Sequence, residues 1–222
     1  MCKIFEIKNL LHSYDNKKNT LEIESLDIEK GTIVGFVGSN GSGKTTLLKI
    51  LSFLEPYSKG EIKYNGERVK NERELRKEIT YLLQSPYLLK RNVYENIAYG
   101  IKLRKGKNIE AKVREALEKV GLLYDEFAQR EWSCLSGGEV QRIALASRLV
   151  IEPKVLILDE PTANVDSESA ELIKKAIEEE CKQRGTTVII ATHDTEWLEK
   201  IAKTTIYLKN GKIEKIEKNE KN

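Results

Sequence analysis

The segment Gly38-Ser39-Asn40-Gly41-Ser42-Gly43-Lys44-Thr45 constrains this chain more than any other, because of what flanks it. A short apolar run, 33–37, precedes it, and a helical stripe follows from Thr46: Leu47, Leu48, Ile50, Leu51 and Leu54. A G-x-x-x-x-G-K-[ST] string between a strand and a helix makes a loop whose glycines let successive backbone N–H groups turn inward. The helix N-terminus adds about half a positive charge and Lys44 a full one, which together suit a triphosphate. A glycine turn with a stray lysine explains the string but not its flanks. A dinucleotide fingerprint leaves Lys44 and Thr45 without a task. The Thr45 hydroxyl is then expected on Mg2+, with a second ligand from a carboxylate ending a neighbouring buried strand. Asp159, after the apolar run 155–158, stands there. Glu160 follows at once, and adjacent residues at a strand's exit point in different directions, so one acid can hold metal while the other orients or deprotonates water. Two acids in a solvated loop are the plainer alternative.

The surrounding pattern is α/β. Runs at 4–10, 21–28 and 60–64 read as strands, the last before the turn Asn65-Gly66. The middle is helical, with a 3.6-residue period over 109–120 and Gly121 as a stop. The last third alternates strand 155–158, helix 167–183, strand 187–191 and helix 196–202, then closes with a hairpin at Asn210-Gly211. Such alternation predicts parallel strands joined by crossover helices, in a sheet covered on both faces. The 222 residues suit one domain. Cys2, Cys134 and Cys181 are too few and scattered for a disulfide framework, and His12 and His193 make no metal constellation. Cys134 reads best as small buried packing, and the charged run 67–78 as a solvated helix face. A net charge of +3, from 38 basic against 35 acidic residues, gives no field for nucleic acid. With no apolar run near ~18 residues and a charged start, a cytosolic chain that does not itself span a membrane is expected.

A second glycine-bearing helix start lies at Leu135-Ser136-Gly137-Gly138-Glu139. Ser136 is placed as N-cap with Glu139 three residues on, a capping box. It is a second anion site, and one nucleotide cannot readily use two such cradles in one small chain, so a second protomer is suggested. A merely well-capped helix would give Gly137 and Gly138 no purpose.

Taken in order, these segments resemble the nucleotide-binding subunit of ATP-binding-cassette (ABC) transporters over essentially the whole chain. Residues 38–45 resemble the Walker A loop, Gln84 the Q-loop glutamine, 135–139 the family signature and 155–160 Walker B. Asn164-Val165-Asp166 resembles the D-loop and His193 the switch histidine, and Tyr14 falls where the family stacks an aromatic on adenine. Taken alone, Gln84 would be an exposed strand terminus, His193 a satisfied core histidine and Tyr14 an ordinary strand aromatic.

The resemblance implies a P-loop NTPase core with a mostly parallel sheet, an N-terminal antiparallel β subdomain and an inserted α-helical subdomain. In a single domain 1–222, residues 1–84 and 151–222 would form the core and 85–150 the helical part. It implies a head-to-tail homodimer holding two ATP molecules. Tyr14, Gly38, Ser39, Asn40, Gly41, Ser42, Gly43, Lys44, Thr45 and Thr46 would bind each nucleotide on one side, and the partner's copies of Ser136, Gly137 and Gly138 on the other. Thr45, Gln84 and Asp159 would hold Mg2+, and Glu160, His193, Gln84 and Lys44 would carry catalysis. Transmembrane permease subunits, and through them an extracytoplasmic substrate-binding protein, would be partners at the inner face of the cell membrane. Glu139 stands in place of the usual Gln, and Asn164 in place of a small residue. Segments 92–100, 162–166 and 191–198 are similar to the tungstate-importer branch; molybdate, phosphate, an amino acid or a non-transport mechanical complex are the alternatives. Trp132 and Trp197 have no role derivable from the sequence.

Overall fold

The computed structural model describes residues 2–14 and 19–219. Alternating apolar positions draw β1 (Lys3–His12) and β2 (Leu21–Glu29) into an antiparallel pair. The chain then enters a second sheet through β3 (Ile33–Val37), and the glycine loop leads into α1 (Lys44–Leu51). It returns through β4 (Lys59–Tyr64) and β5 (Glu67–Arg68), completing a four-stranded sheet in the order β2-β1-β4-β5. After the single-turn α2 (Glu72–Leu75), β6 (Ile79–Leu82) forms an edge of the second sheet.

Four helices follow before the chain rejoins that sheet: α3 (Val93–Leu103), α4 (Ile109–Lys119), α5 (Tyr124–Phe127) and α6 (Gly137–Leu149). Asn92 caps α3 through Glu95 N at 2.8 Å, and Gly121, at φ +70°, turns the chain after α4. Then come β7 (Val155–Asp159), α7 (Ser167–Arg184), β8 (Thr187–Thr192), α8 (Thr195–Glu199), β9 (Thr204–Lys209) and β10 (Lys212–Lys218). The second sheet runs β10-β9-β3-β8-β7-β6, parallel throughout except for the closing hairpin of β9 and β10.

The central strands are buried on both faces, so successive residues feed different cores. Val34, Phe36, Val155, Ile157 and Ile189 pack with α1 and the first sheet. Ile33, Val37, Leu156, Leu158, Val188 and Ile190 pack with the inserted helices and α7. Helix α8 closes over β3, where a Cβ on Gly35 would stand 2.2 Å from Leu198 Cδ2.

Several local expectations are corrected. Helix α1 begins at Lys44 and ends at Leu51, with Phe53 turned to φ +56°, so Leu54 falls off the buried stripe and is exposed. The run 67–78 is a two-residue strand and one helical turn capped by Asn71, because no apolar face exists to hold a longer helix. The helix expected over 196–202 is the shorter α8. Cys134 is exposed in a 3-10 turn, not buried. No helix among the described residues is long and apolar enough to cross a membrane.

Candidate active site

Strands β3, β8 and β7 are neighbours and parallel, so their carboxyl ends deliver three loops to one edge of the sheet. That edge carries a cleft of about 320 Å3 lined by Thr20, residues 40–46, Gln84, Asp159 and Glu160. Gly41 and Gly43 take φ of +77° and +102°, which side chains rarely tolerate. Lys44 is 7% exposed, and its Nζ donates to the carbonyls of Gly38, at 2.6 Å, and Ser39, at 3.4 Å. No carboxylate neutralises it among the described residues. A buried ammonium satisfied only by carbonyls is a strong lure for an anion. Ser42 Oγ beside it is buried without a partner, a second sign that the loop is built around something polar.

At the end of β7, Asp159 is 3% exposed and its Oδ2 accepts from Tyr81 Oη at 2.9 Å. Burial, and next the Asp159 charge, push the Tyr81 phenol well above its ordinary value, so it remains a donor. Glu160 stands at φ +49°, a left-handed conformation costing a non-glycine residue roughly 1–2 kcal/mol. Three donors hold its Oε2: Thr192 Oγ1 at 3.1 Å, His193 N at 3.3 Å and His193 Nδ1 at 2.9 Å. Its Oε1 makes no hydrogen bond among the described residues and is left to accept. The His193 side chain is 70% exposed. Gln84 is exposed on the cleft wall just after β6.

The cleft lining offers the exposed Thr45 hydroxyl, Gln84 and the Asp159 carboxylate as side chains that could hold Mg2+. Among the described residues no cluster of three or more His, Cys, Asp or Glu would cage a metal unaided. One carboxylate and one hydroxyl fit an ion that takes its remaining ligands from water and phosphate.

Tyr14 sits at the rim, 59% exposed, with its Oη 3.2 Å from Thr46 Oγ1. Ser136, Gly137 and Gly138 do not line this cleft. Their capping box is formed, with Ser136 N donating to Glu139 Oε2 at 2.7 Å and Glu139 N to Ser136 Oγ at 3.3 Å. Gly138 has a packing purpose that the sequence did not reveal: a Cβ there would lie 2.5 Å from Ser169 Oγ. Asp166 caps α7 through Ser169 N at 2.7 Å, and that bond, followed by one from Ser169 Oγ, holds its carboxyl below the ordinary range.

Sequence reasoning missed several supporting groups. Tyr81 orients Asp159, and Arg148 Nε donates to the Tyr81 carbonyl at 2.9 Å. His12 packs edge-on to Tyr14, with ring centroids 4.6 Å apart at 89°. Gln141 Nε2 donates to the Pro161 carbonyl at 3.0 Å, tying α6 to the loop after Glu160. The one available signal was polar residues on otherwise apolar faces.

Residues 21–163 match the family model described as "ABC transporter". The chain is 39% identical over 209 residues to the tungstate uptake system ATP-binding protein TupC of Peptoclostridium acidaminophilum, covering 93% of this chain and 95% of that one. It is 35% identical to the spermidine/putrescine import ATP-binding protein PotA of Bacteroides fragilis, covering 94% of this chain but only 45% of that relative. Among solved structures, cbiO1 of Clostridium perfringens, part of the ABC transporter complex cbiONQ, superposes with a TM-score of 0.89 at 30% identity over 99% of this chain and 89% of its own. The ATP-binding cassette MJ0796, as a dimer bound to ADP and Pi, gives 0.89 at 27% identity over 98% and 100%. With the family model matching residues 21–163 and a relative 39% identical along nearly the whole of both chains, the chain belongs to the ABC transporter family as an ATP-binding ATPase subunit.

Proposed function

We propose that this chain powers an ABC importer for an oxyanion, tungstate, by binding and hydrolysing ATP between two head-to-tail copies of itself. The observation that carries the dimer is the separation just described. The cleft holds Lys44, Asp159 and Glu160, while Ser136 and the glycines after it open elsewhere on the same chain. In this reading residues 1–84 and 151–222 form the nucleotide-binding core, and 85–150 carry the signature across to the partner.

The adenine would stack on the open face of Tyr14, whose edge is tethered to Thr46. Phosphate oxygens would take over Lys44 Nζ from the Gly38 and Ser39 carbonyls and be met by the loop's N–H groups. Thr45, Asp159 and Gln84 would hold Mg2+, which supplies charge neutralisation on the phosphates when bound. Glu160, with Oε2 pinned by three donors, keeps Oε1 to orient the attacking water and draw its proton. With Nδ1 donating to Glu160, a neutral His193 leaves Nε2 an acceptor. To donate to the γ-phosphate, the ring must therefore be protonated or must leave Glu160. Loss of the γ-phosphate would release the partner's Ser136 and reopen the pair.

The permease would be met by a groove of about 430 Å3 between β6 and the inserted helices, lined by Leu54, Leu83, Tyr99 and Arg104 among others. Tyr87 and Leu89 stand exposed nearby in sequence, on the segment that Gln84 opens. The tungstate assignment is supported by the TupC likeness along nearly the whole of both chains. Deleting the gene should abolish accumulation of tungsten from trace tungstate, measured by mass spectrometry of washed cells. The native chain should restore it and Glu160→Gln should not. Intact tungstate uptake with lost sulfate, molybdate or polyamine uptake would overturn the substrate.

A further inference from the structure

We propose that Glu139 is a charge brake on closure of the pair: it positions Ser136 to receive the partner's nucleotide, while its own negative charge opposes the phosphate's arrival. The inference rests on the composite-site reading above. An α-helix begins with unpaired N–H groups, and in α6 they are divided between two uses. Ser136 N donates to Glu139 Oε2 at 2.7 Å, and Glu139 N donates to Ser136 Oγ at 3.3 Å. The N–H groups of Gly137 and Gly138 have no partner among the described residues.

Because the Ser136 oxygen already accepts, its proton is free to donate outward, which is the polarity a phosphate oxygen requires. The Ser136 hydroxyl proton and the Gly137 N–H thus remain exposed to an anion, and the Gly138 N–H is unpaired but lies on a residue buried against Ser169 and Asp166. The reciprocal bond that arranges them is made by a carboxylate, so a full negative charge sits in the first turn that must receive another.

The chain tempers this charge locally. Arg130 Nη1 lies 3.4 Å from Glu139 Oε1, and the guanidinium also covers the Phe127 ring, its carbon 4.1 Å from the centroid. The Arg130 side chain is 42% exposed and the Glu139 side chain 19%, so the pair is screened from one side only. Glutamine at 139 would make the same bond to Ser136 N without the charge. The net effect of glutamate is to keep the receiving surface ordered but its grip on ATP weak, favouring reopening after hydrolysis.

The test uses the full chain with Glu160→Gln, in which ATP should be held without turnover, and reads the ATP-dependent dimerisation constant by sedimentation at low and high salt. Repulsion between the Glu139 carboxylate and a phosphate on the same turn is on the scale of a surface charge pair, about two- to fivefold per site. Two sites per dimer make that about four- to twenty-five-fold. Glu139→Gln should therefore tighten the dimer by about that factor at low salt, and the gain should shrink near 1 M salt, where screening reaches ~3 Å. Arg130→Gln should weaken the dimer with the same salt signature. Thermal melting of each variant without nucleotide separates these effects from loss of fold. Absence of any ATP-dependent dimer in the Glu160→Gln parent overturns the composite site. A dimer whose constant ignores both substitutions, or shifts equally at both salt concentrations, overturns the charge brake alone.

Discussion

Replacing Tyr81 by Phe isolates one hydrogen bond at Asp159, the acid proposed to hold the metal. The phenol donates to Asp159 Oδ2 at 2.9 Å, and the two residues are 9% and 3% exposed. No apolar volume is lost, so the cost is that of a buried carboxylate deprived of its donor, about 1.5–3 kcal/mol for a bond to a charged group. For a domain of this size that corresponds to roughly 3–12 °C in melting temperature. The urea midpoint of the nucleotide-free protein should fall accordingly. With saturating Mg2+ and ATP the metal takes part of the carboxylate's demand, and the gap between variant and parent should narrow to about 1 kcal/mol. A variant as stable as its parent would refute the strength assigned to this bond, and an equal deficit with and without ligand would refute the proposed placing of Asp159 at the metal.

Lys44→Ala should abolish binding of a fluorescent ATP analogue, since the buried ammonium is the loop's one full positive charge; unchanged affinity contradicts the cradle. Gly138→Ala should cost about 1–3 kcal/mol in chemical denaturation, because its Cβ would press to 2.5 Å of Ser169 Oγ and 3.0 Å of Asp166 Oδ2. Gly137→Ala meets nothing nearer than Asn164 O at 4.0 Å, so it should keep its stability yet form less ATP-dependent dimer. The hydrogen bond from Lys112, aided by Arg184, holds the Glu152 carboxyl below its ordinary 4.5. Its stabilisation is therefore complete above pH 4.5 and lost as pH falls through the lower folded value. Glu152→Gln should be the less stable protein at pH 7, with the difference vanishing in acid; a gap that persists there contradicts the ion pair.

What could be read from the sequence was what depends on neighbours along the chain. The strand 33–37 and the loop after it are contiguous, and their chemistry is written in glycines, one lysine and one hydroxyl. The two acids ending β7 were equally visible, as was the capping box, because its partners lie three residues apart. The groups that hold those residues in place were not. Tyr81 is 78 positions from Asp159, Arg148 is 67 from Tyr81, and Thr192 is 32 from Glu160. The first and last arise when parallel strands set their ends side by side, and the second when α6 packs on β6. Leu54 was misassigned for a related reason: its spacing continues the α1 stripe, but the chain leaves the helix at Ser52, a break no periodicity announces. Trp197, silent in the sequence, is buried in the core that α8 shares with β3, its backbone N–H held by Asp194 at 2.9 Å.

The opposite edge of the large sheet lives under different rules. Gly31 and Gly185 turn the chain just before β3 and β8 begin, and a Cβ on Gly185 would meet nothing within 4 Å. Five residues of strand at about 3.3 Å each put that rim some 17 Å from the chemistry. It is a place to attach things. With Cys2, Cys134 and the half-buried Cys181 replaced, a dye on Gln183→Cys, in the last turn of α7, would ride the rigid sheet and report the meeting of two copies by energy transfer, without disturbing the event it watches.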